Sequence, residues 1–238
     1  MPVEVRLQTR RRYPHSFFFA AVATFSLLLG SSVSLANEYD ITVVDQAGKS
    51  VPNAVVTFPD FKAKKDERTA VMDQVDQQFK PEVLAIQKTQ SVDFPNSDNI
   101  RHHVYSFSRP NHFEIKLFSG SESEAVTFEH NGVAVLGCNI HDNMIGFIYI
   151  SDGEILGVTD NNGKVRIELP KEAETSEQLT LKVWHSKLSP LSNEHIEAKV
   201  NGKERKHTVT LPMTIEDKPE NSESMPPESS GFKKKFGK

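Results

Sequence analysis

Cys138 is the single cysteine of a 238-residue chain. It sits in the segment Gly137-Cys138-Asn139-Ile140-His141-Asp142-Asn143-Met144, so a histidine follows at +3 and a methionine at +6. Well upstream lies Arg101-His102-His103-Val104-Tyr105-Ser106, with two adjacent histidines in a run that reads as a strand. One thiolate, two imidazoles and a distant thioether are the donor set of a copper ion that has a trigonal plane and a weak axial bond. Four filled positions leave no opening for a substrate, so the chemistry implied is one-electron transfer and no catalytic residue is expected.

Each donor alone has a plainer explanation. A lone cysteine is commonly a small buried hydrophobe and a lone methionine a gap-filler in a core. The conjunction of donors and spacing argues for the metal. One cysteine and two histidines with an open position would also make a catalytic zinc site. A thioether in the fourth place suits copper, however, and no H-E-x-x-H motif supplies a general base. Met72, in a charged stretch, is a further thioether whose place the spacing does not give. His112, His130, His185, His195 and His207 lack ligand-like spacing and read as surface or hydrogen-bonded groups.

Such a centre needs strands to hold it. Apolar residues recur with period two in short runs punctuated by Gly, Pro, Asn and Ser. The runs predict strands at Val83–Ile86, Ser91–Phe94, His102–Ser108, Phe113–Phe118, Ala125–Phe128, Gly132–Leu136 and Ile145–Ile150. In this scheme Cys138 ends one strand, His141 occupies the turn and Met144 opens the next. The upstream histidine comes from a neighbouring strand. Two more strands flank an Asp-Gln-Ala-Gly turn between Tyr39 and Phe58, and others are expected at Val158–Leu169, Leu179–Trp184 and His207–Leu211. Only Ala70–Gln78 has any helical periodicity. The chain is expected to be all-β.

The ends differ from the middle. Arg6, Arg10, Arg11 and Arg12 precede an apolar run from Phe17 to Leu29, and Ser34 and Ala36 offer a small-residue cleavage site. This is the pattern of a secretory signal peptide over residues 1–36, and its apolar run is too short to span a bilayer. No transmembrane helix is expected in the mature chain. Of 28 basic and 32 acidic residues, four and one fall in that segment, leaving 24 against 31 and a formal charge of −7. That balance excludes a nucleic-acid binder by composition. In an exported protein a single cysteine cannot close an internal disulfide, so its thiol is free, paired with another molecule or bound to metal. Residues 213–238 are rich in Glu, Ser, Pro and Lys and read as a disordered tail.

The residues also carry a resemblance. Phe79 to Ile150 resembles a cupredoxin domain of the plastocyanin or amicyanin type. Cys138-x2-His141-x2-Met144 has amicyanin-like spacing, and Asn96-Ser-Asp98-Asn-Ile-Arg-His102-His103-Val-Tyr-Ser106 resembles the ligand strand of such proteins. The whole of Tyr39 to Leu211 is similar to bacterial exported proteins called methylamine utilisation proteins. Those carry a cupredoxin domain beside a carboxypeptidase-regulatory-type, transthyretin-like sandwich. The resemblance implies a cupredoxin Greek-key β-sandwich at 61–152, inserted in a second small β-sandwich formed by 37–60 and 153–212. The rival layout is a simple series in which the outer strands extend the cupredoxin sheets.

The resemblance assigns His102, Cys138, His141 and Met144 as ligands of one type 1 copper. It puts His103 where relatives have an asparagine that braces the ligand loop. Strand alternation alone offers another register, in which His103, Tyr105 and Phe107 point together into the core and His103 is the ligand. The function implied is that of a periplasmic blue copper protein and not an enzyme. Its partner would be a redox protein such as a periplasmic cytochrome, docking around His141 at Ile140, Asp142, Asn143 and Ile145. Copper delivery without redox cycling, and an adhesion or structural role for the sandwich, are the alternative readings.

Overall fold

A computed structural model describes residues 37–120 and 125–216. The expected signal segment and the chain beyond 216 lie outside the described residues. Strands dominate, in chain order β1 (Glu38–Val44), β2 (Val55–Lys62), β3 (Ala70–Val71), β4 (Asp73–Val75), β5 (Gln78–Lys80) and β6 (Val83–Gln87). There follow β7 (Ser91–Asp93), β8 (His102–Ser106), β9 (Phe113–Phe118), β10 (Val126–Thr127), β11 (Gly132–Cys138) and β12 (His141–Ser151). The last group is β13 (Glu154–Val158), β14 (Lys164–Glu168), β15 (Leu179–Trp184), β16 (Ile196–Val200) and β17 (Lys206–Thr210). A single helical turn, α1 (Glu172–Thr175), precedes β15. The fold is an all-β Greek-key sandwich, the class expected. The faint helical periodicity of Ala70–Gln78 does not become a helix, because β3, β4 and the start of β5 occupy that stretch.

Hydrophobic faces stack the sheets in layers. The five-stranded sheet β6-β12-β11-β8-β9 shares one core with the small sheet β10-β7-β3 and the hairpin β4–β5. Phe79, Phe94, Val104, Phe128, Leu136, Cys138, Met144 and Ile148 fill that core. The sheets β14-β1-β17 and β13-β2-β15-β16 enclose a second core of Tyr39, Ile41, Val43, Phe58, Leu181 and Val183. No strand ladder among the described residues joins the strands of 70–151 to those of 38–62 and 154–210.

Side chains make the join instead. Val55 of β2 and Trp184 of β15 pack on Val83, Val133, Phe147 and Tyr149 of the five-stranded sheet. Trp184 lies 6.0 Å from Phe147 and 5.5 Å from Tyr149, ring centre to ring centre. Burying a side chain of this kind contributes about 1.5–3 kcal/mol. β12 is thus covered on both faces, with Phe147 and Tyr149 in this third core and Ile148 and Ile150 in the first. That explains its continuous apolar run, the pattern of a strand buried on two sides.

Residues 213–216 of the expected tail are among those described, and they are in contact with the rest of the chain. Met213 and Ile215 pack against the second core, and the Ile215 amide donates to Asp45 Oδ2 at 2.7 Å. The two apolar side chains keep this stretch docked after the composition has turned polar. No helix among the described residues is long and apolar enough to cross a membrane.

Candidate metal centre

β11 and β12 are joined by two residues, Asn139 and Ile140, so the strands run further towards the turn than alternation suggests. His141 is the first residue of β12 and pairs with Cys138, while Ile145 pairs with Gly137. Asp142, Asn143 and Met144 therefore bulge between two successive pairs. The bulge leaves Asp142 and Asn143 in solvent and returns Met144 to the interior. Bulges of this kind re-aim side chains next to functional sites. The expectation that His141 sits in the turn and that Met144 opens a separate strand is corrected accordingly. Both lie within β12.

The third donor comes from β8. Cys138 pairs with Val104 across the β11–β8 ladder, and His102 shares the inward face of β8 with Val104 and Ser106. All three of these β8 residues are fully buried. His102 Nδ1 stands 3.7 Å from Cys138 Sγ, and His141 Nδ1 stands 3.8 Å from the same sulfur. The donor atoms of His102, Cys138 and His141 all lie within 4.8 Å of one another. The two imidazole rings are tilted against each other at 5.1 Å. Met144 lies in the same core as Cys138 and is equally hidden from solvent.

His103 goes elsewhere. It projects from the opposite face of β8, where its Nε2 bonds Glu114 Oε1 of β9 at 3.0 Å. It is not in the donor cluster, and it bonds β9 and not the β11–β12 turn where a brace would act. Tyr105 and Phe107 share that outward face in a ladder of rings, 5.7 Å from His103 to Tyr105 and 4.8 Å from Tyr105 to Phe107. The register in which these three residues enter the core is overturned, since Phe107 is 71% exposed. Met72 is buried in the same core as Cys138 and Met144, away from the charged exterior of its segment.

The surroundings set the electrostatics. His102 Nε2 lies 2.7 Å from Asp98 Oδ2. Burial tends to raise the Asp98 carboxyl, but hydrogen bonds from the Gln77 amide, His102 and the Asp76 amide outweigh it and hold it below the ordinary carboxylate value. An ionised carboxylate can only accept, so Nε2 is the donor in this contact, while Nδ1 faces Cys138 Sγ. In the sequence Asp98 stands only as one member of the Asn96–Ser106 motif. A carboxylate four residues before a candidate donor histidine is the signal available there.

A groove of about 550 Å³ opens beside Cys138 and Met144, walled by Tyr105, Phe107, Val135, Ile145 and Leu191. Around His141, Ile140 and Ile145 are half exposed, and Asp142 and Asn143 are exposed. His141 itself is partly exposed, so one edge of the cluster reaches the surface.

No protein-family model and no curated protein sequence matches the chain. Solved structures do. A copper-containing nitrite reductase from Thermus scotoductus is 23% identical, with 40% of this chain and 26% of that chain covered and a TM-score of 0.34. A purple cupredoxin from Nitrosopumilus maritimus is 19% identical over 34% of this chain and 99% of its own, with a TM-score of 0.31. A reduced amicyanin is 16% identical over 40% of this chain and 98% of its own, with a TM-score of 0.33. Each likeness spans less than half of the present chain, which in turn covers about a quarter of the nitrite reductase.

Proposed function

We propose that the protein is an exported, periplasmic type 1 copper protein that carries single electrons between redox partners and is not an enzyme. The observation that carries this reading is the convergence of both Nδ1 atoms on Cys138 Sγ at 3.7 and 3.8 Å. Metal bonds of about 2.0–2.1 Å to nitrogen and about 2.3 Å to sulfur, at tetrahedral to trigonal angles, separate such donors by about 3.6–3.8 Å. The donor chemistry, a soft thiolate with two imidazoles, favours copper in a trigonal His2Cys plane. Met144, buried in the same core as Cys138 and returned to the interior by the bulge, is the proposed fourth donor.

Copper held there would move one electron by alternating between its two common oxidation states. The rest falls to the chain. Cys138 and His102, buried under the first core, exclude water and keep the donor geometry fixed. His141, at the surface, gives an electron a short way out. Ile140 and Ile145 around it form an apolar contact, and Asp142 adds a negative charge that suits a partner with cationic groups near its redox centre, such as a cytochrome. The 37–60 and 153–212 segments are proposed to form a second sandwich into which the copper domain is inserted, on the resemblance noted above.

Titrating the purified protein with Cu(II) tests the reading. A strong visible charge-transfer band should appear, bleach on reduction and return on oxidation, and Cys138→Ser should abolish it. Stoichiometric copper uptake with no reversible colour would point to delivery instead, and uptake of zinc in preference to copper would sink the assignment.

A further inference from the structure

We propose that Asp98 is a positioning residue, a carboxylate clasp that holds His102 in the one tautomer able to bind metal through Nδ1. The inference rests on the proposed copper reading, but its geometry stands in the chain alone. Asp98 accepts three hydrogen bonds. Its Oδ1 takes the Asp76 amide at 2.7 Å, and its Oδ2 takes both the Gln77 amide at 3.0 Å and His102 Nε2–H at 2.7 Å.

Asp76 and Gln77 are the two turn residues of the β4–β5 hairpin, and both have left-handed backbones, with φ of 54° and 57°. Neither is glycine, so the turn holds a conformation that side-chain-bearing residues adopt at a cost. In that conformation both amides reach the same carboxylate, an arrangement of backbone donors that suits an anion. Asparagine could not replace the aspartate. It has one acceptor oxygen, whereas the donors occupy both carboxylate oxygens, and its amide nitrogen would face an N–H.

The clasp is fastened from a second side. The Asp98 amide donates to Asn96 Oδ1 at 3.0 Å, Asn96 Nδ2 donates to the Ile100 carbonyl at 2.8 Å, and Ser97 Oγ donates to Asp73 Oδ2 at 2.7 Å. His102 is therefore anchored to the β4–β5 hairpin, a different element from the loop that carries Cys138 and His141. Its ring orientation is set before any metal arrives. A negative partner on Nε2–H also makes Nδ1 a stronger donor and favours the more oxidised ion.

The test compares wild type with Asp98→Asn. In the metal-free protein, nitrogen NMR of His102 should show a single Nε2–H tautomer with a slowly exchanging proton, and the variant should lose that preference. In the copper-loaded protein the variant should bind Cu(II) about 10–100-fold more weakly and have a higher reduction potential. An Nδ1–H tautomer at His102 in the wild type would overturn the proposal even if the variant failed to fold. Unchanged affinity and potential in a folded variant would overturn it too. If the wild type takes up no copper, the functional reading fails, while the tautomer measurement still decides the role of Asp98.

Discussion

At the residue scale, β8 places two histidines side by side and gives them opposite fates. Strand alternation predicts that one faces in, but it does not say which parity is the inner one. Hydrophobicity favours the wrong set here, since His103, Tyr105 and Phe107 look more apolar than His102, Val104 and Ser106. The inner set is the one that reaches the core, with Val104 opposite Cys138 and His102 and Ser106 buried on either side of it. The outer aromatics pack on one another and line a groove. His103→Ala should therefore leave the visible band of the copper-loaded protein intact, whereas His102→Ala should abolish it or shift it grossly. Absorption spectra of the two variants check this directly.

Gly137 lies opposite Tyr105 in the β11–β8 ladder, where space is tight. A Cβ at this position would lie 2.8 Å from the Tyr105 ring. The hydroxyl end of the ring occupies that space, and Gly137→Ala would have to push it away. Overpacking of this kind costs about 1–3 kcal/mol. Chemical denaturation of the metal-free variant should show a loss in that range.

At the element scale, the β11–β12 hairpin was the best-marked part of the sequence. Its two apolar runs, the small turn and three of the candidate donor residues all stand in one stretch of chain. What could not be read was the bulge. Gly137 pairs with Ile145 and Cys138 with His141, so three residues are inserted on one strand only. Nothing in residue type announces such an insertion, because register is a property of the pair of strands. The short β3 and β4 were equally hidden. Two- and three-residue strands carry too few residues to show any period.

The loop after β15 offers a test of a different kind. His185 Nε2 donates to the Pro52 carbonyl, and its Nδ1 accepts the Lys187 amide at 3.1 Å. Burial pushes its pKa below the ordinary histidine value, and the Pro52 contact only partly offsets that. The folded protein therefore binds fewer protons here than the unfolded chain. Stability from this group is fully present above the unfolded value of about 6.5 and is lost as pH falls towards the depressed folded value. Denaturant unfolding at a series of pH values from neutral to mildly acidic should show stability falling. His185→Gln should flatten that slope.

At the scale of the whole molecule, the layers decide how the centre meets its surroundings. The outward face of the five-stranded sheet is not solvated over β6, β11 and β12, because Val55 and Trp184 cover it. The side with β8 and the ligand loop stays open, and the candidate docking residues gather there. With a formal charge of −7 over residues 37–238 and Asp142 beside His141, encounter with a cationic redox partner should slow as salt is added. Stopped-flow electron transfer to a basic cytochrome over a range of ionic strength checks this, and a salt-independent rate would refute the charge argument.

Trp184 is the single tryptophan of the chain, and it is lodged against the strand that begins with His141. Its single indole N–H is shared between the Ser189 and Ser192 carbonyls, each at 2.9 Å, which fixes the polar edge of the ring. The molecule therefore carries an intrinsic fluorescent reporter on the contact between its sheet systems, while any metal colour reports from the far end of the same strand. Two dyes that nobody had to attach can be watched in one melting experiment. If the layers let go together, both signals change at one temperature, and if the contact opens first, the emission moves while the colour persists.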